Sequence, residues 1–354
     1  MKKHRKTPAG FTLIELMVSM IVLTVIMMVS VNVISTTQKT WSQGSARVEQ
    51  FREARMAFES ITQSLRQATL NTYMTYKYNN SATPTIPLSN LEAPQQYLRY
   101  SELQFITGPA NSLLGSAEGL STHAIFFQAP LGVTANEEYI SLDQLLCGRG
   151  YFIMHGDDSA YRPAHITENR YRFRLMEYRP AAEKNSVYNS LYGGGGAPWY
   201  SDAATSLVQT SESADEVSST RPVAENILAL IISPQVAPDD VTNASVKPTW
   251  IAPNYSYDSL QPSNATSQNP QGSQHMLPPQ IQVTLVAIDE ASARRLAEKY
   301  NDAMPDLIPT SAFTNVNSYE ADLTELETKL REEGLSYRVF STTIGMRNAK
   351  WTLF

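Results

Sequence analysis

A chain of 354 residues with 28 Lys and Arg against 34 Asp and Glu has room for one large domain or two ordinary ones, and its formal net charge is −6. Four of the cations, Lys2, Lys3, Arg5 and Lys6, lie in the first ten residues, so the remainder sums to −10. A body that acidic repels phosphates instead of releasing their counterions, which argues against direct nucleic-acid binding. The hydrophobic share of 42 % is enough for a core through most of the chain, and the single cysteine, Cys147 in LDQLLCGRGYF, excludes an intrachain disulfide and reads as a small buried apolar residue.

Residues 1–10, MKKHRKTPAG, are basic and nearly free of apolar side chains. From Phe11 to Ile34 the only strongly polar residues are Glu15 and Asn32. A helix of that length rises roughly 30–36 Å, enough to cross a bilayer. The basic flank belongs in the cytoplasm by the positive-inside bias, which puts the C-terminal body on the far side. The apolar core is longer than that of a secretory signal, and the following NVISTTQKTW has no small-x-small cleavage site. A plain signal anchor fits the length but explains neither Gly10 before Phe11 nor a carboxylate five residues into the run. Such a charge costs several kcal/mol in hydrocarbon unless it is paired or snorkels to the headgroups.

At these residues, a basic leader ending in Gly10, then Phe-Thr-Leu-Ile-Glu-Leu and a long apolar helix, the sequence resembles the type IV pilin and type II secretion pseudopilin superfamily. The resemblance implies that a prepilin peptidase cuts after Gly10 and that Phe11 becomes the N-methylated new N-terminus. It implies that the apolar helix is retained as membrane anchor and filament core. Glu15, the fifth mature residue, then meets the Phe11 amine of a neighbouring subunit. Two such charges attract far more strongly in low dielectric than in water, so their pairing sets axial register. The implied partners are the peptidase, other pilin or pseudopilin subunits, the inner-membrane assembly platform, inner-membrane lipid and secreted cargo. The implied location is the bacterial inner membrane, single-pass, with a periplasmic head, and afterwards the filament.

Beyond the span, residues 35–70 are expected to continue the helix amphipathically. Trp41, Val48, Phe51, Phe58 and Leu65, with Ile61 and Ala68, make one apolar stripe that packs on the protein's own head. No proline falls between Phe11 and Thr83, so nothing forces a break, although Gly44 costs about 1 kcal/mol. Residues 71–354 read as a β-rich head with long loops. The expected strands are Tyr97–Thr107, Ala124–Ala129, Tyr151–His155, Tyr171–Arg179, Ile227–Ser233, Gln280–Ile288 and Tyr337–Arg347. QIQVTLVAID alternates cleanly, and YRFRLMEY alternates aromatic and basic residues as a half-exposed strand does. Helices are expected at Glu290–Asn301 and Tyr319–Glu333, the second ending on Gly334. Surface insertions are expected at about 180–222 and 233–280, with Gly193–Gly196 a flexible turn. The fold class is therefore α+β and pilin-like, a long N-terminal helix, membrane-embedded in its first half, packed on a β-rich head.

Catalytic patterns are thin, and the chain reads as a non-enzyme without cofactor. The five histidines have no His-x-x-x-His or His-Glu-x-x-His spacing, and Gly-x-Ser-x-Gly is absent. HGDD at His155–Asp158 reads as a turn, because two adjacent aspartates do not specify the six or more oxygens of calcium. EQFREARMAFESITQSLRQA is similar to the helix of J-type minor pseudopilins and W-type minor pilins. LPPQIQVTLVAID is similar to a late strand of the J-type head, and YRVFSTTIGMRNAKW resembles the C-terminal strand of a verrucomicrobial pilin-like family. The head is large for a repeating subunit, so the expected role is a low-copy subunit of a secretion pseudopilus or type IV pilus-like filament. The rival is a single-pass anchored periplasmic binding protein that never polymerises.

Overall fold

A computed structural model of the chain describes residues 13–78, 95–115, 117–139, 141–160, 162, 165–185, 187, 197–207, 219–237, 247–300 and 303–350, except 143, 168 and 268; along 39–50 the only side chain described is that of Trp41. Two compact units divide between Gln50 and Phe51. Helix α1 (Leu13–Arg66) runs through this division, and the proline-free sequence shows why it is not interrupted. In the first unit the stretch Leu13–Gln38 contains an 18-residue window with a mean hydropathy of 2.5, and none of the stretch is buried.

In the second unit, Ala54, Ala57, Phe58, Ile61 and Leu65 recur at three- and four-residue steps and are buried, with Ala68 just beyond the helix. Burying Ile61 and Leu65 is worth about 1.5–3 kcal/mol each. The helix stops at Arg66, short of the expected residue 70, because the amides of Gln67 and Ala68 turn back to the Ser64 and Leu65 carbonyls in a tighter last turn. Trp41 does not share the buried stripe: it is 78 % exposed.

Among the described residues the head contains three antiparallel sheets. A two-stranded sheet pairs β1 (Tyr73–Lys77) with β2 (Gln96–Tyr100). The next strand, β3 (Ile106–Pro109), leads through a short α2 (Ala110–Leu114) to β4 (Leu120–Pro130), β5 (Leu146–Gly156), β6 (Arg172–Tyr178) and β7 (Thr220–Glu225). With β9 (Tyr257–Asp258) these make a six-stranded sheet in the order β7-β6-β5-β4-β3-β9. A three-stranded sheet has the order β11-β10-β8, from β8 (Ile227–Gln235), β10 (Gln280–Ile288) and β11 (Tyr337–Gly345). Between β10 and β11 lie α3 (Glu290–Tyr300) and α4 (Tyr319–Glu332). Helix α4 closes in a Schellman arrangement: Leu335 N bonds the Leu330 carbonyl, Gly334 N bonds the Arg331 carbonyl, and Gly334 takes a φ of 66°.

Alternation along the central strands separates two cores. Ile125, Phe127, Tyr151, Ile153, Phe173 and Leu175 face a core shared with α1, β8, β10 and the two later helices. Ala124, Phe126, Phe152, Met176 and Tyr178 face a second core with Trp199, Tyr200 and Ala203. Because both faces are covered, β6 is buried along its whole length, not half-exposed as its aromatic-basic alternation implied. Its arginines are tolerated because they are paired. Arg172 Nη2 donates to Glu290 at 2.8 Å; Arg174, 1 % exposed, reaches Glu225 at 3.2 Å and the carbonyls of Gly156 and Asp157.

Other expectations need correction. The single strand expected over Tyr97–Thr107 is two strands, β2 and β3, in different sheets. Between them the Ser101 hydroxyl and the Asn71 side chain capture the Leu103 amide. Strands β1, β7 and β9 were not foreseen; β7 contains Pro222, which is admissible because β7 is a sheet edge. The described parts of the two expected surface insertions are not merely surface. Trp199, Tyr200 and Ala203 fill the second core, and Ile251, Ala252, Tyr255, Tyr257 and Leu277 belong to the first. Gly193–Gly196 lies outside the described residues.

Candidate functional site

Glu15 sits in the first described turn of α1 and is exposed. A carboxylate suits that end of a helix, where unsatisfied amides carry partial positive charge. Val18, Ser19, Val22 and Ile26 continue the same side of the helix at three- and four-residue steps, so a shallow, mostly apolar groove runs from the carboxylate along the helix. The other two residues named from the sequence, Gly10 and Phe11, lie outside the described residues.

Five hydroxyl side chains of the span are accommodated from within. Ser19 donates to the Leu16 carbonyl, Thr24 to Met20, Ser30 to Ile26, Thr36 to Asn32 and Thr37 to Val33, all at 2.8–2.9 Å. A hydroxyl bonded to its own helix demands no water, so these five residues do not oppose transfer of the segment into hydrocarbon.

The head has its own candidate, which sequence reasoning missed. In β4 the register slips between Ser121 and Ile125, and Thr122 there adopts a φ of 51°, costly for a β-branched residue. The bulge turns three consecutive side chains toward the otherwise open edge of β8. Ser121 Oγ donates to the Leu228 carbonyl at 3.2 Å, Thr122 Oγ1 accepts from the Leu230 amide at 3.0 Å, and His123 Nδ1 accepts from the Ile232 amide at 3.1 Å. Side chains thus replace the missing neighbouring strand and lock the two larger sheets together.

Since Nδ1 of His123 accepts, the proton of the neutral ring is on Nε2, which donates to the Phe313 carbonyl at 2.9 Å. Burial holds the His123 pKa down at about 4. Tyr255 packs on the imidazole at 4.7 Å between ring centroids. A cleft of about 400 Å³ adjoins it, lined by Ser121, His123, Phe173, Leu228, Pro305 and Phe313 among others. The polar atoms of Ser121 and His123 are already engaged by protein, while Asn111, Asp306, Thr310 and Thr314 add polar side chains to the apolar part of the lining. The only sequence signal was a lone histidine beside an apolar run, which carries no spacing information.

The HGDD segment is a structural turn. Asp157 Oδ1 accepts from the amide and hydroxyl of Ser159, and Asp158 Oδ1 accepts from the Arg170 amide. Cys147 is buried, with its sulfur near the Val133 and Leu145 carbonyls. Among the described residues no three His, Cys, Asp or Glu side chains converge as a metal site would require.

Residues 5–31 match the family model of the prokaryotic N-terminal methylation motif. Searches of curated proteins and of solved structures return no significant match. The matched segment includes Gly10, Phe11 and Glu15 and runs into the apolar helix. It supports a pilin-like N-terminal segment of the kind that a prepilin peptidase processes. The helix Leu13–Gln38 suits membrane anchoring.

Proposed function

We propose that this chain is a low-copy, pilin-like subunit without enzymatic activity, built into a type II secretion pseudopilus or a type IV pilus-like filament. One observation carries the reading: the methylation motif is placed directly on a membrane-length helix whose later turns form the core of a β-rich head. In this reading residues 1–10 are removed and Phe11 carries the methylated amine. Residues 11–34 cross the inner membrane and later form the filament core, while the head stands in the periplasm. Glu15 pairs with the Phe11 amine of a neighbour, which fixes register among helices that apolar packing alone leaves free to slide. The size of the head and the helix similar to J-type pseudopilins and W-type pilins support a subunit that initiates or caps a short filament. Intact mass of the protein from its own membranes tests the reading. Loss of residues 1–10 with gain of one methyl group is the expected result, and an unprocessed N-terminus overturns it.

A second reading, an anchored binding protein that does not polymerise, has one observation in its favour, the cleft of mixed apolar and polar lining beside His123. Crosslinking in the presence of partner pilins separates the two, since only a filament subunit forms heterocomplexes through its helix.

A further inference from the structure

Trp41 is 78 % exposed, an unusual position for the largest apolar side chain a protein has. It lies three positions beyond the apolar stretch Leu13–Gln38, with Lys39 between. From Leu13 to Trp41 the helix rises about 42 Å at about 1.5 Å per residue. A bilayer with its headgroup layers measures about 40–45 Å. A helix whose first turn meets the inner headgroup layer therefore delivers Trp41 to the outer one. There an indole keeps its ring against the acyl boundary and its N–H in water.

The interval is built for that passage. The Thr36 and Thr37 hydroxyls bond back to the Asn32 and Val33 carbonyls, so polarity rises gradually from Ile34 to Lys39 without demanding water too early. Another helix is a poorer occupant. The helical neighbours of Trp41 three and four positions away are Thr37, Gln38, Gly44 and Ser45, so apolar residues recur on its side only at seven-residue steps, Ile34 and Val48, a sparser seam than close helix packing uses.

We propose that Trp41 is a lipid-interface anchor, seated in the outer headgroup layer, that sets how deeply the helix rests in the bilayer before assembly. The proposal rests on reading Leu13–Gln38 as membrane-spanning. The test uses the full chain in phosphatidylcholine vesicles whose acyl chains carry bromine either just below the headgroups or near the chain ends. The Trp41 signal is the difference between wild type and Trp41→Phe. A second variant, Leu23→Trp in the Trp41→Phe background, reports the middle of the span. The proposal expects the Trp41 signal to be lost to the shallow bromines and largely kept with the deep ones, and the reverse for the Leu23→Trp reporter. If that reporter escapes both probes, the membrane reading fails and the proposal with it. If the reporter is quenched from the chain ends while Trp41 is quenched by neither probe, the proposal alone is overturned. Emission at the wavelength of a hydrated indole then places the ring in water, and blue-shifted emission places it against a second copy.

Discussion

Replacing His123 by Asn removes the titrating ring and keeps an acceptor near the Ile232 amide. The neutral ring in the head has its pKa at about 4, against an ordinary 6.5. Between those values the unfolded chain takes up a proton that the folded chain refuses, so stability is complete above pH 6.5 and falls as pH falls. At about 1.4 kcal/mol per pH unit, this one group removes about 2 kcal/mol by pH 5 and about 3 kcal/mol by pH 4. Structurally, a protonated Nδ1 confronts the Ile232 amide, donor against donor, and the clasp between β4 and β8 opens. The assay is urea unfolding of a soluble fragment from Thr40 onward, at a series of pH values from 7 to 4. His123→Asn is expected to be less stable at pH 7, having lost the Phe313 contact, but to lose about 2–3 kcal/mol less on acidification than wild type. Parallel pH dependences for the two proteins would refute the assignment of a buried, neutral His123.

Three further outcomes follow from the helix. Gly10→Val should leave a full-length precursor in the membrane by intact mass, because a side chain at the residue before the cut obstructs the peptidase; normal maturation contradicts the processing assignment. Glu15→Ala should be cleaved and inserted normally, with insertion easier by roughly 2–3 kcal/mol, yet should fail to crosslink with partner pilins. Wild-type crosslinking of cleaved Glu15→Ala makes Glu15 a snorkelling bystander. Leu65→Ala, at a fully buried position of α1, should cost the soluble fragment about 2–5 kcal/mol in urea unfolding, and a loss below about 1 kcal/mol would contradict the packing of α1 on the head.

The leader charge, Gly10, Phe11, Glu15 and the apolar run form one contiguous pattern, which the methylation-motif model matches over residues 5–31, because such a pattern depends on neighbours along the chain and not on the fold. Periodicity exposed the buried stripe from Phe58 to Leu65 and the strand Gln280–Ile288, since a surface with one covered face repeats at the period of its own backbone. Only tertiary structure decided which periodic residues find a cover. Trp41 continues the stripe in spacing and is exposed, whereas Arg174 alternates like a solvent-facing residue and is buried, because Glu225, about fifty positions away, returns to neutralise it. The clasp of Ser121, Thr122 and His123 on β8 joins residues more than a hundred positions apart through a bulge and a strained φ. Local pattern records which face of an element is apolar. It does not record which distant backbone edge stands open, and that edge is what gives His123 the Ile232 amide and, through it, its tautomer.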